Sequence, residues 1–158
     1  MQVEDRSGIR PGESRRLTEG EVQLAMSVFG EAINYDQVRI FRRKYFPLQP
    51  QRRTMAPDGN IYFHPRSAAY RDDFSLAETC LKGLFIHEMT HVWQHQNGTN
   101  VRRAVFNRRY RYRLKRGKSF RQYGLEQQCE IVRHYFLVSS QHQQETSLDL
   151  YKEILPFT

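Results

Sequence analysis

The residues best equipped for chemistry are His87–Glu88–Met89–Thr90–His91. Side chains four apart on a helix stand one turn above each other on the same face. His87 and His91 therefore present two imidazoles side by side, at the spacing a tetrahedral zinc ion (Zn2+) needs from two of its ligands. Glu88 follows the first histidine and lies beside the metal rather than on it. From there a carboxylate can take a proton from water that the metal has made acidic, ready for attack on a carbonyl. Phe85, Ile86, Met89, Val92 and Trp93 surround the motif and predict an amphipathic helix. A partly desolvated histidine pair is costly without a partner, which weighs against the plain alternative of two satisfied histidines on a core helix.

Two histidines need a third protein ligand. One large class of zinc peptidases continues as H-E-x-x-H-x-x-G-x-x-H, but Gln94 and Asn97 occupy those positions here and exclude it. Another class takes a glutamate from a later helix. Downstream, Tyr123–Gly124–Leu125–Glu126–Gln127–Gln128–Cys129–Glu130 offers two glutamates four apart on one helical face. That spacing fits a division of labour in which Glu126 binds the metal and Glu130 orients a ligand histidine through a hydrogen bond. The reverse assignment, and a surface ion pair with Arg133, remain open from sequence. His95 lies one turn past His91, but helical drift carries it roughly 80° from His87, toward the rim. His134, four after Glu130, reads as an exposed histidine near the cleft, and nothing is assigned to His142.

The elements that must position these groups follow from periodicity and punctuation. Residues 1–16 carry Gly8, Pro11, Gly12 and many charges and read as a flexible arm or linker ahead of a single domain, 17–158. Thr18–Glu21 is a capping box opening a first helix that ends near Gly30. Residues 37–41 and 60–64 alternate like strands, separated by a proline-containing loop that ends in an Asp58–Gly59 turn. A second capping box, Ser75–Glu78, opens the motif helix, which Asn97–Gly98 stops. A third helix runs from about 123 to 139, and residues 148–155 form a short tail of helical character. The order predicts a small α+β domain with the motif helix packed on a small β-sheet and the third ligand arriving from a later helix. Tyr62 and His64, on one side of the second strand, and Tyr123, just before the third helix, are candidates to bind substrate or stabilise an oxyanion.

Composition bounds the rest. The chain has 158 residues, 39% of them hydrophobic, with ten Phe and nine Tyr, enough for one packed core. Its net charge is +8 and its isoelectric point about 9.8, a bias that suits nucleic acid, an anionic envelope surface or an acidic protein. Much of that charge lies between Arg102 and Arg121, with Phe106, Tyr110 and Tyr112 interleaved; a solvated connection is the plainer reading, and no known nucleic-acid motif is present. Cys80 and Cys129 are too few for a disulfide framework and read as two buried thiols. No apolar run reaches the length of a membrane span, and the N-terminus lacks the apolar stretch of a signal peptide, so synthesis in the cytoplasm is expected.

Taken together, the segments Met55–Pro65, Leu84–Gln96 and Tyr123–Val132 resemble a family of small zincin-like domains, most closely the metallopeptidase effector domains at the C-termini of type VI secretion VgrG spike proteins. The resemblance covers about residues 17–137 and the whole metal motif. It implies a zinc metallopeptidase of the H-E-x-x-H plus glutamate (gluzincin) type acting on protein or peptide. It further implies an antibacterial toxin, delivered with a secretion-system spike or carrier into a competitor's periplasm and neutralised by a cognate immunity protein, which the basic charge suggests is acidic. No spike domain precedes the toxin in this sequence, which reads as a free cargo effector or a domain excised from a larger protein. The competing expectation is a zinc-stabilised basic module that grips nucleic acid or an acidic protein without catalysis. A metal-free scaffold is the third.

Overall fold

The computed structural model describes residues 8–141 and 145–157; residues 1–7 of the expected arm, and His142, lie outside them. Helix α1 (Glu19–Phe29) opens with the reciprocal cap its sequence specifies: Glu21 N donates to Thr18 Oγ1 at 3.0 Å and Thr18 N donates to Glu21 Oε2 at 2.9 Å. Glu21 is also fully buried, and its carboxylate accepts from Arg15 Nη1 and Nη2 at 2.8 Å each and from Phe74 N at 2.9 Å. One side chain thus ties together strand β1 (Ser14–Arg16), α1 and the 3₁₀ turn Phe74–Leu76. The expected arm is corrected at its C-terminal end. Ser14–Arg16 pairs antiparallel with β2 (Arg39–Phe41), Arg15 opposite Ile40, because the Arg15 guanidinium is drawn inward onto Glu21. Glu21→Ala would strand a half-buried guanidinium and two backbone donors. It is expected to cost about 3–5 kcal/mol, read as a lower urea midpoint; a loss below about 1 kcal/mol would make this an ordinary surface pair.

Strand β2 pairs in parallel with β3 (Ile61–Tyr62), giving the sheet order β1–β2–β3. Both predicted strands are longer than the observed ones, since Tyr35–Gln37 is a 3₁₀ turn and regular pairing stops at Tyr62. On its other side Tyr62 makes an isolated antiparallel bridge with Met55, through Tyr62 N to Met55 O at 2.7 Å and Met55 N to Tyr62 O at 3.2 Å. The segment around Met55 therefore lies outside β3 as an extra, irregular edge. The turn between them needs Gly59, whose φ is 87° and where a Cβ would come within 2.8 Å of the His95 ring.

The predicted capping box at Ser75 does not form. Asp73 instead caps the 3₁₀ turn, accepting from Ser75 N at 2.9 Å, and helix α2 runs Thr79–Gln96. Its expected amphipathicity is corrected too: every residue from Phe85 to Gln94 is buried. Helix α3 (Leu125–Ser140) packs along one side, while β3 and the 3₁₀ turns Phe74–Leu76 and Val101–Val105 surround the rest. Phe63 and Phe74 stack in series on the helix's own Phe85, with centroids 5.2 and 5.6 Å apart. Helix α4 (Glu145–Ile154) packs on α3. The motif helix is therefore the axis of the core, and burial of Phe85, Ile86, Met89 and Val92, about 1.5–3 kcal/mol each, offsets the polar groups it carries inside. Among the cysteines only Cys129 is buried; Cys80 is exposed on the first turn of α2, and both are free thiols. No helix among the described residues is long and apolar enough to cross a membrane.

Candidate metal centre

Because α2 and α3 pack side by side, His87 and His91 face Glu126 across their interface. Glu126 Oε2 lies 3.2 Å from His87 Nε2 and 3.3 Å from His91 Nε2. Nitrogen and oxygen ligands held 2.0–2.2 Å from one tetrahedral centre stand about 3.3 Å apart, so both separations from Glu126 Oε2 are those of ligand atoms sharing one centre. The far nitrogens are fixed in ways that leave both Nε2 atoms facing inward: His87 Nδ1 meets Glu130 Oε1 at 2.8 Å, and His91 Nδ1 meets Gln94 Oε1 at 2.9 Å. Gln94 is itself clamped to α3, donating to Leu125 O at 3.0 Å and Gln128 Oε1 at 2.9 Å.

The electrostatics favour positive charge at this centre. Burial opposes the charged form of His87, but Glu126 and Glu130 outweigh it and raise its pKa to about 9. Burial also opposes charge on Glu126, yet the two imidazoles hold it down at about 2. A divalent cation supplies the positive charge more completely than a proton. Cys129 lies within 4.8 Å of the other three ligand atoms. However, its Sγ contacts His91 Nδ1 at 3.4 Å, the nitrogen turned away from Glu126, and burial pushes the thiol well above its usual range. It backs His91 rather than completing the sphere.

Glu88 is 4% exposed, and its Oε2 has no hydrogen-bond partner. Burial pushes its carboxyl up from the ordinary range, the direction that suits a proton acceptor near neutrality. An unpaired buried oxygen is costly, and such a group persists where a ligand or reaction uses it. Glu88, His87, His91 and Glu126 open into a cavity of about 70 Å³, room for a few waters or one carbonyl group. Its walls are Arg53–Pro57, the turn at Val101–Val105, and Tyr110. The Tyr110 ring centre is 6.3 Å from that of His87, and the residue is 43% exposed.

The three sequence candidates for substrate or oxyanion binding do not border this cavity, although Tyr123 lines a groove beside it. Tyr62 stacks on Phe41 and donates its hydroxyl hydrogen to Asp58 Oδ2 at 2.8 Å. His64 Nδ1 accepts from Arg66 N at 3.1 Å. Tyr123 is buried, donating to Arg113 O at 3.1 Å and accepting from Lys115 N at 3.0 Å, so it pins the basic connection. None of them lines the cavity. The backbone of β3 is occupied by β2 and Met55, and the edge that borders the cavity is 53–57 instead. Sequence reading missed Tyr110, Gln94 and the 53–57 edge. The polarity of Gln94 at a core position of α2 was the one available signal. His95 is exposed beside Gly59 and away from the centre. His134 joins a chain behind it: Tyr112 Oη lies 3.0 Å from Tyr151 Oη and 2.7 Å from His134 Nδ1, and His134 Nε2 lies 3.5 Å from Glu130 Oε2.

A small α+β domain whose two core helices bring two histidines and a glutamate to one buried point is the class this fold and site define. The solved effector domain of Pseudomonas aeruginosa VgrG2b matches it with a TM-score of 0.75 and 39% identity, covering 94% of this chain and 85% of that one. The type VI secretion system spike protein VgrG2b of the same organism is 46% identical over 132 residues, which is 78% of this chain but 13% of the spike protein's length. No protein-family model matches. The chain belongs to the VgrG2b effector-domain family.

Proposed function

We propose that the chain is a zinc-dependent metallopeptidase of the gluzincin type and acts as a type VI secretion toxin. The observation that carries this is the convergence of His87 Nε2, His91 Nε2 and Glu126 Oε2 beside an unpartnered Glu88 oxygen in an open cavity. His87, His91 and Glu126 would hold one zinc ion, which when bound supplies Lewis acidity to water and carbonyl. Glu88 takes the proton of the attacking water at Oε2 and returns it to the leaving amine. Glu130 and Gln94 keep the two imidazoles in the orientation that turns Nε2 inward. Tyr110, kept protonated by burial and the nearby Glu126 charge, lines the cavity and carries a hydroxyl that could donate to a developing oxyanion.

Membership of a spike-protein effector family supports delivery by that secretion system; action in the target cell's periplasm is part of the proposal. The +8 net charge suits an acidic immunity protein. The test combines metal, activity and place of action. Purified protein is expected to hold one zinc per chain and to cleave an unfolded protein substrate. Expression directed to the periplasm of a susceptible host should stop growth, whereas cytoplasmic expression should not. No stoichiometric zinc would favour a metal-free scaffold. Chelation separates catalysis from the zinc-stabilised module. The core on α2 and α3 is apolar and continuous without an ion, so chelated protein should keep its far-ultraviolet dichroism and lose only activity, which zinc restores. Unfolding on chelation would identify a structural site.

A further inference from the structure

A second and larger depression adjoins the cavity. It is a groove of about 870 Å³, lined by Tyr110, Arg111, Tyr112, Arg113, Leu114, Lys115 and Lys118 on the basic connection and by Tyr123, Gln127, Glu130, His134 and Tyr151 opposite. Tyr110 lines both spaces. The groove wall is held in place. Gln127 Nε2 donates to Arg111 O at 2.7 Å, Tyr123 Oη bonds Arg113 O and Lys115 N, and Lys118 Nζ sits 4.2 Å over the Tyr123 ring. Carbonyls and amides of the connection are thus fixed from inside while the side chains of Arg111, Arg113 and Lys115 are exposed. Among the described residues no carboxylate pairs with any of these three. Four cations face one acid, Glu130, which is already engaged by His87 and Arg133.

We propose that this groove binds an acidic segment of the peptide substrate and thereby sets specificity, an inference that rests on the peptidase reading of the adjoining centre. Charge complementarity selects an acidic occupant. The neighbouring centre selects a peptide over a nucleic acid. A nucleic-acid strand carries a negative charge at every step and would press a phosphate against Glu88, Glu126 and Glu130 as it continued past Tyr110. A peptide carries its charge in side chains, so acidic residues can occupy the groove while a neutral amide lies over the carboxylates.

The test measures binding, without turnover, in zinc-loaded Glu88→Gln protein. The probes are fluorescent octapeptides of alternating Ala-Glu, Ala-Gln and Ala-Lys, and an octathymidylate. The Ala-Glu peptide is expected to bind about tenfold more tightly than Ala-Gln, the combined effect of a few exposed ion pairs. Arg111→Glu/Arg113→Glu should erase that margin. Arg16→Glu/Arg66→Glu, an equal change of net charge at exposed sites outside the groove, should preserve it. Equal losses in both double variants would reduce the effect to overall charge and overturn the proposal, as would a missing margin between Ala-Glu and Ala-Gln. Octathymidylate binding as tightly as Ala-Glu, with the same loss on Arg111→Glu/Arg113→Glu, would make the groove a phosphate-backbone site and also overturn it. Because no hydrolysis is read, failure of the peptidase reading shows separately, as inactivity of the unaltered chain toward any peptide.

Discussion

Glu88→Ala protein is expected to cleave peptide about 10²–10⁴-fold more slowly than the unaltered chain while still carrying one zinc per chain. The separation follows from where the side chain sits. Glu88 takes no part in the convergence of His87, His91 and Glu126, so its removal leaves the metal's ligands intact. Its Oε2 is buried and unpaired, a situation that costs about 1–3 kcal/mol. The same substitution should therefore leave the melting temperature unchanged or raise it, and the isosteric Glu88→Gln should do so without opening a cavity. Lower kcat/KM with equal or higher stability is the signature of a group retained for chemistry. Elemental analysis, kcat/KM on one peptide and a thermal melt of the three proteins give the answer. Full activity of either variant would remove Glu88 as the base.

The parts of this site that the sequence displays are those that local geometry governs. Helical periodicity alone puts His87 over His91 and Glu126 over Glu130, and the structure brings these four to one interface. What periodicity cannot supply is the course of the chain between the two helices. Tyr110 belongs to a basic stretch that reads as solvated connection, and only the docking of Tyr123 and Gln127 beneath it carries Tyr110 to the cavity rim. Strand β1 escapes a sequence reading for a similar reason. Arg15 looks like a surface residue in a polar arm until Glu21, one turn into α1, draws it inward. Alternation in 60–64 correctly marks a strand. It could not reveal that Met55 would cover that strand's outer edge and transfer the cavity border to 53–57. The surrounding of α2 likewise depends on α3, β3 and the two 3₁₀ turns, none encoded in its own spacing.

The two glutamates of α3 should separate by metal affinity. Glu126→Ala removes the oxygen that faces both imidazoles and is expected to leave protein that loses its zinc on dialysis, since two histidines alone hold the ion. Glu130→Ala leaves all three converging atoms and removes only the acceptor 2.8 Å from His87 Nδ1. Loss of such an orienting carboxylate typically weakens metal binding 10–100-fold, so this variant should retain zinc at micromolar free metal and lose it to a competing chelator. Glu130→Gln keeps an acceptor for the Nδ1–H and should recover part of the deficit, whereas Glu130→Met, of similar size without that acceptor, should not. The opposite order, zinc lost from Glu130→Ala and kept by Glu126→Ala, would exchange the roles. The chain Tyr151–Tyr112–His134–Glu130 makes a further consequence physical. Glu130 is braced from the groove side as well as by His87, so a peptide seated in the groove as proposed would lie against the group that orients the His87 ring. Binding and metal orientation would then be coupled through one carboxylate, and the Glu130 variants should lose kcat more than they lose KM.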